Sequence, residues 1–325
     1  MRVQSLAILT SLNLIQASVH IRSAGLPSFS GVPKPSTRRV DAIAASMPVA
    51  PAAAIMLRGG AGTLPGLPAL AAASFLPTCL GLWKNGYAVS YGYGGAMLAT
   101  GALMLRSSPG LSALAKAHAL ALVFYGLRLN TFLLYRELAL PEEVHQMKRR
   151  DASLIDRLKR LPIIIGCSAL YYCMGAPLRV TAMASGSASG AAAVAVALSF
   201  MGFGIAALGD LVKTVVKAKE GPDFLVTSGP FRWLRHPNYT GELVGWSASA
   251  VAAVLAAVGE GSAFALGGAK WWLLGSALGW LGILFVLAGE ATAGLEKKQK
   301  AKYGGTPKYE EWVARSWAGP MISSS

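Results

Sequence analysis

Residues 228–242 read Ser228-Gly229-Pro230-Phe231-Arg232-Trp233-Leu234-Arg235-His236-Pro237-Asn238-Tyr239-Thr240-Gly241-Glu242. This stretch places two arginines, a histidine, an amide, a phenol and a carboxylate directly before an apolar segment. Because the residue before a proline is disfavoured in the α region, we expect a helix to begin just after His236. The stretch therefore predicts a polar site at the N-terminal end of a membrane helix, with Asn238, Thr240 or Gly241 at the capping positions.

Such a helix end favours an anion. Exposed backbone N–H groups and the positive end of the helix dipole attract negative charge, and Arg232 and Arg235 add to it. The site suits a phosphate or a carboxylate. An interfacial anchor of Arg, Trp, Tyr and His beside a hydrophobic run is the alternative. Glu242 favours a site, because a carboxylate at the membrane boundary is costly without a partner.

The composition is that of a polytopic membrane protein. Of 325 residues, 54% are hydrophobic and 14% are charged, and the mean hydropathy is +0.47. The net charge of +15 does not indicate nucleic-acid binding, because the basic residues lie in short segments between apolar runs, as expected for contact with membrane lipids or an anionic cofactor. Three cysteines, without a CxxC pair or a histidine at metal spacing, predict buried thiols and no metal site.

Apolar segments of nearly membrane-spanning length recur along the chain, so we predict an all-α protein with about seven transmembrane helices. The helices are expected near residues 67–82, 87–105, 111–135, 161–177, 189–212, 241–258 and 271–289.

The basic residues of the connections predict how these helices are oriented. Connections 136–160 and 213–237 and the tail after residue 290 hold most of the Lys and Arg, whereas the opposite connections hold only Arg106, Arg179 and Lys270. This asymmetry follows the positive-inside pattern. The predicted site and the basic connections share one face, where we expect a cofactor to bind.

Residues 1–60 differ from the rest of the chain. They are rich in Ser, Ala and Pro and contain six basic residues before residue 60 but a single acid, Asp41, which is typical of an organelle transit peptide. A disordered leader is the alternative. We expect residues 61–325 to form one multi-span membrane domain, in a plastid or endoplasmic reticulum membrane.

Two further charged positions lie in or next to predicted spans. Arg128, inside the span 111–135, needs a carboxylate or phosphate partner unless it reaches the basic face. Asp210 closes the span 189–212, and Lys213 lies three residues later on the same helix face, where the two can pair.

The run GPFRWLRHPNYTGE resembles the signature of membrane reductases that share the steroid 5-alpha-reductase C-terminal domain, and its Arg-His-Pro-Asn-Tyr segment is similar to that of the delta-14 sterol reductases. The tail, with Glu296 before a basic run, Lys302-Tyr303-Gly304 and then Tyr309, resembles the closing segment of the same reductases. The resemblance covers about residues 200–320. The Arg-His-Pro core is also similar to that of isoprenylcysteine carboxyl and phospholipid methyltransferases, which carry a Glu-Glu pair at the place of Glu296-Lys297.

The resemblance implies an NADPH-dependent reductase that saturates a carbon–carbon double bond in a hydrophobic, steroid-like or isoprenoid-like small molecule. The nucleotide would be held at residues 200–320. The cofactor-binding residues that it implies are Arg235, His236, Asn238, Tyr239 and Glu242, with Asp210, Lys213 and Tyr309 as outer contacts. An S-adenosylmethionine-dependent membrane methyltransferase is the alternative.

The proton donor of such a reductase is left open by the sequence. Phenols can protonate a developing carbanion or enolate, so the candidates are Tyr91, Tyr93, Tyr171 and Tyr172. No catalytic residue is assigned from the sequence.

Overall fold

The computed structural model describes residues 64–84, 86–139, 154–184 and 190–321. Within these ranges the chain is helical and contains no strand. The predicted leader, residues 1–60, and part of the basic connection 136–160 lie outside them. The helices are α1 (Leu67–Thr78), α2 (Leu80–Trp83), α3 (Tyr91–Ser107), α4 (Ala113–Ala139), α5 (Leu154–Leu158), α6 (Leu161–Met183), α7 (Gly190–Glu220), α8 (Pro237–Gly259), α9 (Ser262–Leu266), α10 (Ala269–Leu284), α11 (Thr292–Tyr303) and α12 (Pro307–Arg315).

The polytopic all-helical fold is confirmed. In the described part of the chain, five helices are long and apolar enough to cross a membrane: Ala113–Glu137, Ile155–Met183, Gly190–Glu220, Pro237–Gly259 and Ala269–Tyr303. The first two of the seven predicted spans form shorter helices. The segment Leu67–Trp83 is interrupted between α1 and α2, and α3 has 17 residues.

Helix α8 begins at Pro237, as the stretch 228–242 predicts, and His236 is its N-cap residue. The predicted capping positions were wrong, because Asn238, Thr240 and Gly241 lie within the first turns of the helix. Proline fits there because its missing N–H has no partner in a first helical turn.

Glycines let the central helices approach closely. A Cβ atom added to Gly241 on α8 would lie 2.6 Å from the carbonyl oxygen of Gly202 on α7 and 2.6 Å from the backbone nitrogen of Ala206. Small residues allow this approach, which is how helices pack where lipid provides no hydrophobic driving force. The close α7–α8 contact places Asp210, ten residues before the end of α7, beside the start of α8.

Helix α10 continues into α11 through a π-helical segment, Phe285–Ala291. The hydroxyl of Thr292 donates to the carbonyl oxygen of Leu287, 2.7 Å away and five residues earlier. A π segment changes the register of the side chains that follow it. It therefore sets which side of α11 faces the site.

Candidate functional site

The segment 228–236 is held against the C-terminal tail by backbone hydrogen bonds. The N–H of Arg235 donates to the carbonyl oxygen of Trp317 at 2.8 Å, and the N–H of Trp317 donates to that of Trp233 at 2.8 Å. The indole N–H of buried Trp312 donates to the carbonyl oxygen of Phe231 at 2.6 Å. The motif and the tail, 75 or more residues apart in sequence, therefore form one structural unit.

Glu296 on α11 binds both basic residues of the Arg-His-Pro core. Its Oε1 lies 3.0 Å from Arg235 Nε and 2.6 Å from His236 Nε2. Arg235 Nη1 also donates to the carbonyl oxygens of Val313, at 3.1 Å, and Ser316, at 2.5 Å. His236 is 1% exposed. Both side chains are thus fixed in orientation by α11 and α12.

A pocket of about 160 Å³ opens between the ends of α7 and α11 and the segment 224–238. Five of its lining residues are Lys or Arg, and the described residues that line it include no Asp or Glu. The lining consists of Lys213, Lys217, Phe224, Leu225, Val226, Phe231, Arg235, His236, Asn238, Leu295, Lys298, Gln299, Lys302 and Tyr303. We call this the basic pocket. Excess positive charge on partly apolar walls favours an anion that also has a flat or apolar part.

The turn that connects α7 to the motif contacts the side chains of two lysines that line the pocket. Lys217 donates to the carbonyl oxygen of Pro222, and Lys302 forms an ion pair with Asp223. The hydrogen bond from Lys302 lowers the pKa of the exposed Asp223 carboxyl. Asp223 is therefore ionised at neutral pH and offsets part of the charge of Lys302.

Gln299 gives the basic pocket a hydrogen-bond acceptor. Its Oε1 atom is buried and has no hydrogen-bond partner among the residues described by the structure, and the residue lines the pocket. A buried oxygen without a donor costs about 1–3 kcal/mol. A ligand with an N–H group, such as a nucleotide base or a carboxamide, would supply that donor.

A second charged group, which we call the interior cluster, lies between the helices. Arg128 Nη1 is 2.8 Å from Asp210 Oδ2, and Arg128 Nη2 is 2.9 Å from Glu242 Oε1. The side chains are only 8%, 12% and 9% exposed, respectively. One guanidinium therefore joins α4, α7 and α8 and supplies the partner that both carboxylates need.

Aromatic rings surround the interior cluster. The hydroxyl of Tyr93 donates to Glu242 Oε2 at 3.4 Å, and the guanidinium of Arg128 lies 4.8 Å from the ring centre of Tyr125. Tyr171 stacks on Tyr93 with ring centres 5.1 Å apart, and Trp246 packs at 4.9 Å from Tyr125. These contacts leave the carboxylate of Glu242 in a site shielded from water.

The sequence matches, over residues 85–316, the model of a family described as proteins of unknown function, DUF1295. The chain belongs to this family. DUF1295 proteins are membrane proteins related to steroid 5-alpha-reductase-like enzymes. The matched range includes the basic pocket and the interior cluster. No similar curated protein and no similar solved structure was found.

In this DUF1295 protein the predicted cofactor-binding residues fall into separate places. Lys213, Arg235, His236 and Asn238 line the basic pocket. Asp210 and Glu242 belong to the interior cluster, where Asp210 forms an ion pair with Arg128 and also lies under the influence of the Lys213 charge.

The two predicted tyrosines occupy different positions. Tyr239 is half-buried, and its ring centre lies 6.1 Å from that of His236. Along the motif it stands between His236 of the basic pocket and Glu242 of the interior cluster. Tyr309 is 5% exposed and packs with Leu225 and Trp312 behind the basic pocket. Burial raises the pKa of the Tyr309 hydroxyl. Tyr309 therefore supports the pocket wall formed by Leu225 rather than lining the pocket.

The sequence pointed to the tail through Lys302-Tyr303-Gly304, but it did not single out Leu295, Lys298 and Gln299 as pocket residues of the DUF1295 protein. Leu295, Lys298, Gln299, Lys302 and Tyr303 recur at the three- and four-residue spacing of one helix face. That spacing is the signal that can find them. The same tail contains other lysines, so the spacing identifies the pocket face only once Glu296 is known to contact His236.

Proposed function

We propose that this chain is an integral-membrane reductase that uses NADPH to saturate a carbon–carbon double bond in a hydrophobic substrate. The observation that carries the proposal is the basic pocket, where the Arg-His-Pro motif and the lysines of α11 meet without an acidic lining residue among the residues described. The family relationship to steroid 5-alpha-reductase-like enzymes supports the same chemistry.

The lining of the basic pocket fits the phosphorylated part of NADPH. Lys213, Arg235, Lys298 and Lys302 would neutralise its phosphates, and Gln299 would accept a hydrogen bond from a base or carboxamide N–H. Sites that enclose a whole drug-sized ligand have volumes of about 300–1,000 Å³. The pocket, at about 160 Å³, therefore suits part of the dinucleotide. When bound, NADPH supplies the hydride.

The proton for the reduced double bond would come from the interior cluster. Among the four phenols considered from the sequence, Tyr93 contacts the motif carboxylate, Glu242, whereas Tyr91 donates to Glu137 and Tyr171 to the carbonyl oxygen of Ala88. Arg128 holds Glu242 in place. We assign Tyr93 the role of proton donor, with Glu242 and Arg128 fixing its position.

The surroundings of the interior cluster fit a lipid-like substrate. Aromatic rings enclose Glu242. The helices that carry these rings either can cross a membrane or pack directly on a helix that can. A steroid-like or isoprenoid-like molecule would reach such a site from the bilayer. A plastid or endoplasmic reticulum membrane is the proposed location, on the basis of the leader composition.

One contact favours a second candidate function. Glu296 binds Arg235 and His236 at the place where the related methyltransferases begin their acidic pair. An S-adenosylmethionine-dependent transfer to a lipid-like acceptor would use the same Arg-His pair to hold the carboxylate of that cofactor. The five basic lining residues favour NADPH, because S-adenosylmethionine has no phosphate.

Turnover in nanodiscs tests the proposed reaction. The protein is incubated with NADPH and an extract of unsaturated sterols and isoprenoids, and the lipids are analysed by mass spectrometry. The proposal predicts products that gain two hydrogen atoms while NADPH is oxidised. Tyr93→Phe should reduce turnover by about 100-fold or more, the usual contribution of a general acid, with NADPH affinity unchanged. Products that gain a methyl group with S-adenosylmethionine would establish the second candidate instead.

A further inference from the structure

Two tryptophans beside the motif project from an otherwise well-packed segment. Trp233 is 65% exposed and Trp317 is 57% exposed. They come together because the N–H of Trp317 donates to the carbonyl oxygen of Trp233 at 2.8 Å, next to a parallel bridge between Leu234 and Trp317. The backbones of two exposed tryptophans, 84 residues apart in sequence, are thus joined directly.

Buried residues lie within three positions on both sides of each of these tryptophans. Phe231 is 5%, His236 1%, Ser316 8% and Ala318 6% exposed. The backbone on both sides is therefore anchored in the protein, and the outward position of the indoles does not come from a loose terminus. A soluble surface rarely exposes two large indoles on backbone segments that are joined to each other, and such exposure marks an interaction site.

The position and the charge of this surface identify its partner. Helix α8, which can cross a membrane, begins at Pro237, four residues after Trp233. Arg232 lies over the ring of Trp233 at 5.9 Å, and Arg315 is exposed two residues before Trp317. Glu311 lies four residues before Arg315 on α12, a spacing at which the two charges attract, so we take Arg232 as the main cation. Tryptophan and arginine together at a membrane boundary match the headgroup layer.

We propose that Trp233, Trp317 and Arg232 form a docking surface for anionic phospholipid headgroups. The indoles lie at the level of the ester groups, where their apolar rings and polar N–H groups are both satisfied. The guanidinium of Arg232 binds the phosphate of an anionic lipid. This proposal does not depend on the reductase assignment. Because the backbone of Arg235 is bonded to Trp317, the surface also fixes the pocket lining relative to the membrane.

The other end of the helices provides an internal comparison. Trp271 is 68% exposed near the start of α10, and Lys270 lies 5.5 Å from its ring. Lys270 belongs to a connection on the face with few basic residues. Trp271 thus lies at a boundary that also pairs a tryptophan with a cation but has few basic residues around it.

Fluorescence quenching by brominated lipids tests the proposal in nanodiscs. The signal of the two indoles is the difference between the wild-type protein and the double variant Trp233→Phe/Trp317→Phe. We expect bromine near the headgroup end of the acyl chain to quench it at least twofold more than bromine near the chain end. Quenching by acrylamide but not by brominated lipid would overturn the proposal and indicate contact with water or a soluble partner.

Lipid charge is tested in the same system. Brominated phosphatidylglycerol should quench the signal more than brominated phosphatidylcholine at equal mole fraction, and Arg232→Gln should remove that preference. Lys270→Gln, which changes charge at the opposite end, should leave it unchanged. Equal quenching by the two lipids in the wild-type protein would contradict the proposed anionic partner.

Discussion

The interior cluster and the basic pocket use the two ends of one motif but balance charge in opposite ways. Glu242 lies in the interior cluster, where two carboxylates share the guanidinium of Arg128 and all three side chains are at most 12% exposed. His236, six residues earlier, lines an open pocket with five Lys or Arg residues. The charges of the closed cluster are paired within the protein. In the open pocket Glu296 and Asp223 offset only part of the charge of five Lys or Arg residues, and an external anion can neutralise the rest.

Charged residues therefore have different roles in the interior cluster and in the basic pocket. Burying a charge is costly unless it is paired, so the Arg128 pairs fix the positions of α4, α7 and α8. Lysines at the pocket rim keep contact with water and cost little in the absence of ligand. Changes in the interior cluster should therefore mainly affect the stability of the fold, and changes in the basic pocket should mainly affect ligand binding.

The largest expected effect comes from removing the guanidinium of the interior cluster. Arg128→Met leaves Asp210 and Glu242 buried without a cation, and breaking a buried pair costs about 3–5 kcal/mol. We expect a large fall in the thermal unfolding temperature in detergent. The triple variant Arg128→Met/Asp210→Asn/Glu242→Gln, which removes all three charges together, should recover part of the loss. A single variant that keeps its stability but no longer binds NADPH would place Arg128 in the ligand site and break the contrast.

A smaller loss is expected where α7 and α8 cross. A Cβ atom at Gly202 would lie 2.6 Å from the carbonyl oxygen of Gly241, and such overpacking costs about 1–3 kcal/mol. Gly202→Ala should therefore lower the unfolding temperature and separate Asp210 from the start of α8. Gly204→Ala on the same helix is the matched control, because nothing lies within 4 Å of its added Cβ. Equal stability of the two variants would mean that this crossing does not hold the cluster together.

The smallest expected effect comes from a change at the rim of the basic pocket. Asp223→Asn removes the carboxylate that pairs with Lys302 and should tighten NADPH binding only a few-fold, since an ion pair exposed to solvent contributes little. The gain should shrink as salt screens the charges. Titration at low and high ionic strength measures it. Weaker binding in the variant would show that Asp223 positions Lys302 for the ligand instead of competing with it.

Local patterns along the sequence predict the helices well. The proline rule places the start of α8 at Pro237, and hydropathy finds the five long apolar helices. The spans expected at 67–82 and 87–105 fall short because α1 ends at Thr78 and α3 begins only at Tyr91. Both helices pack against longer neighbours, which hydropathy cannot detect.

The sequence does not predict which residues far apart in the chain contact each other. It indicates that Arg128 and Glu242 each need a partner, but not that they are partners of each other, since 114 residues separate them. Helix spacing places Asp210 near Lys213, but it gives no sign that Arg128 reaches Asp210 from α4. The pocket face of α11 depends on the π segment before it, for which the composition gives no signal. Long-range pairing and helix register decide the site.

Calorimetric titration of the protein in nanodiscs with NADPH, NADH and S-adenosylmethionine tests the central claim most directly. Lys298→Gln/Lys302→Gln removes two lysines of the basic pocket, and Lys297→Gln, exposed on the same helix outside the pocket lining, is the control. We predict that NADPH binds more tightly than NADH, that the double variant weakens NADPH binding about tenfold, or about 1.4 kcal/mol, and that the control binds like the wild-type protein. Unchanged NADPH affinity in the double variant, or binding of S-adenosylmethionine alone, would contradict the account.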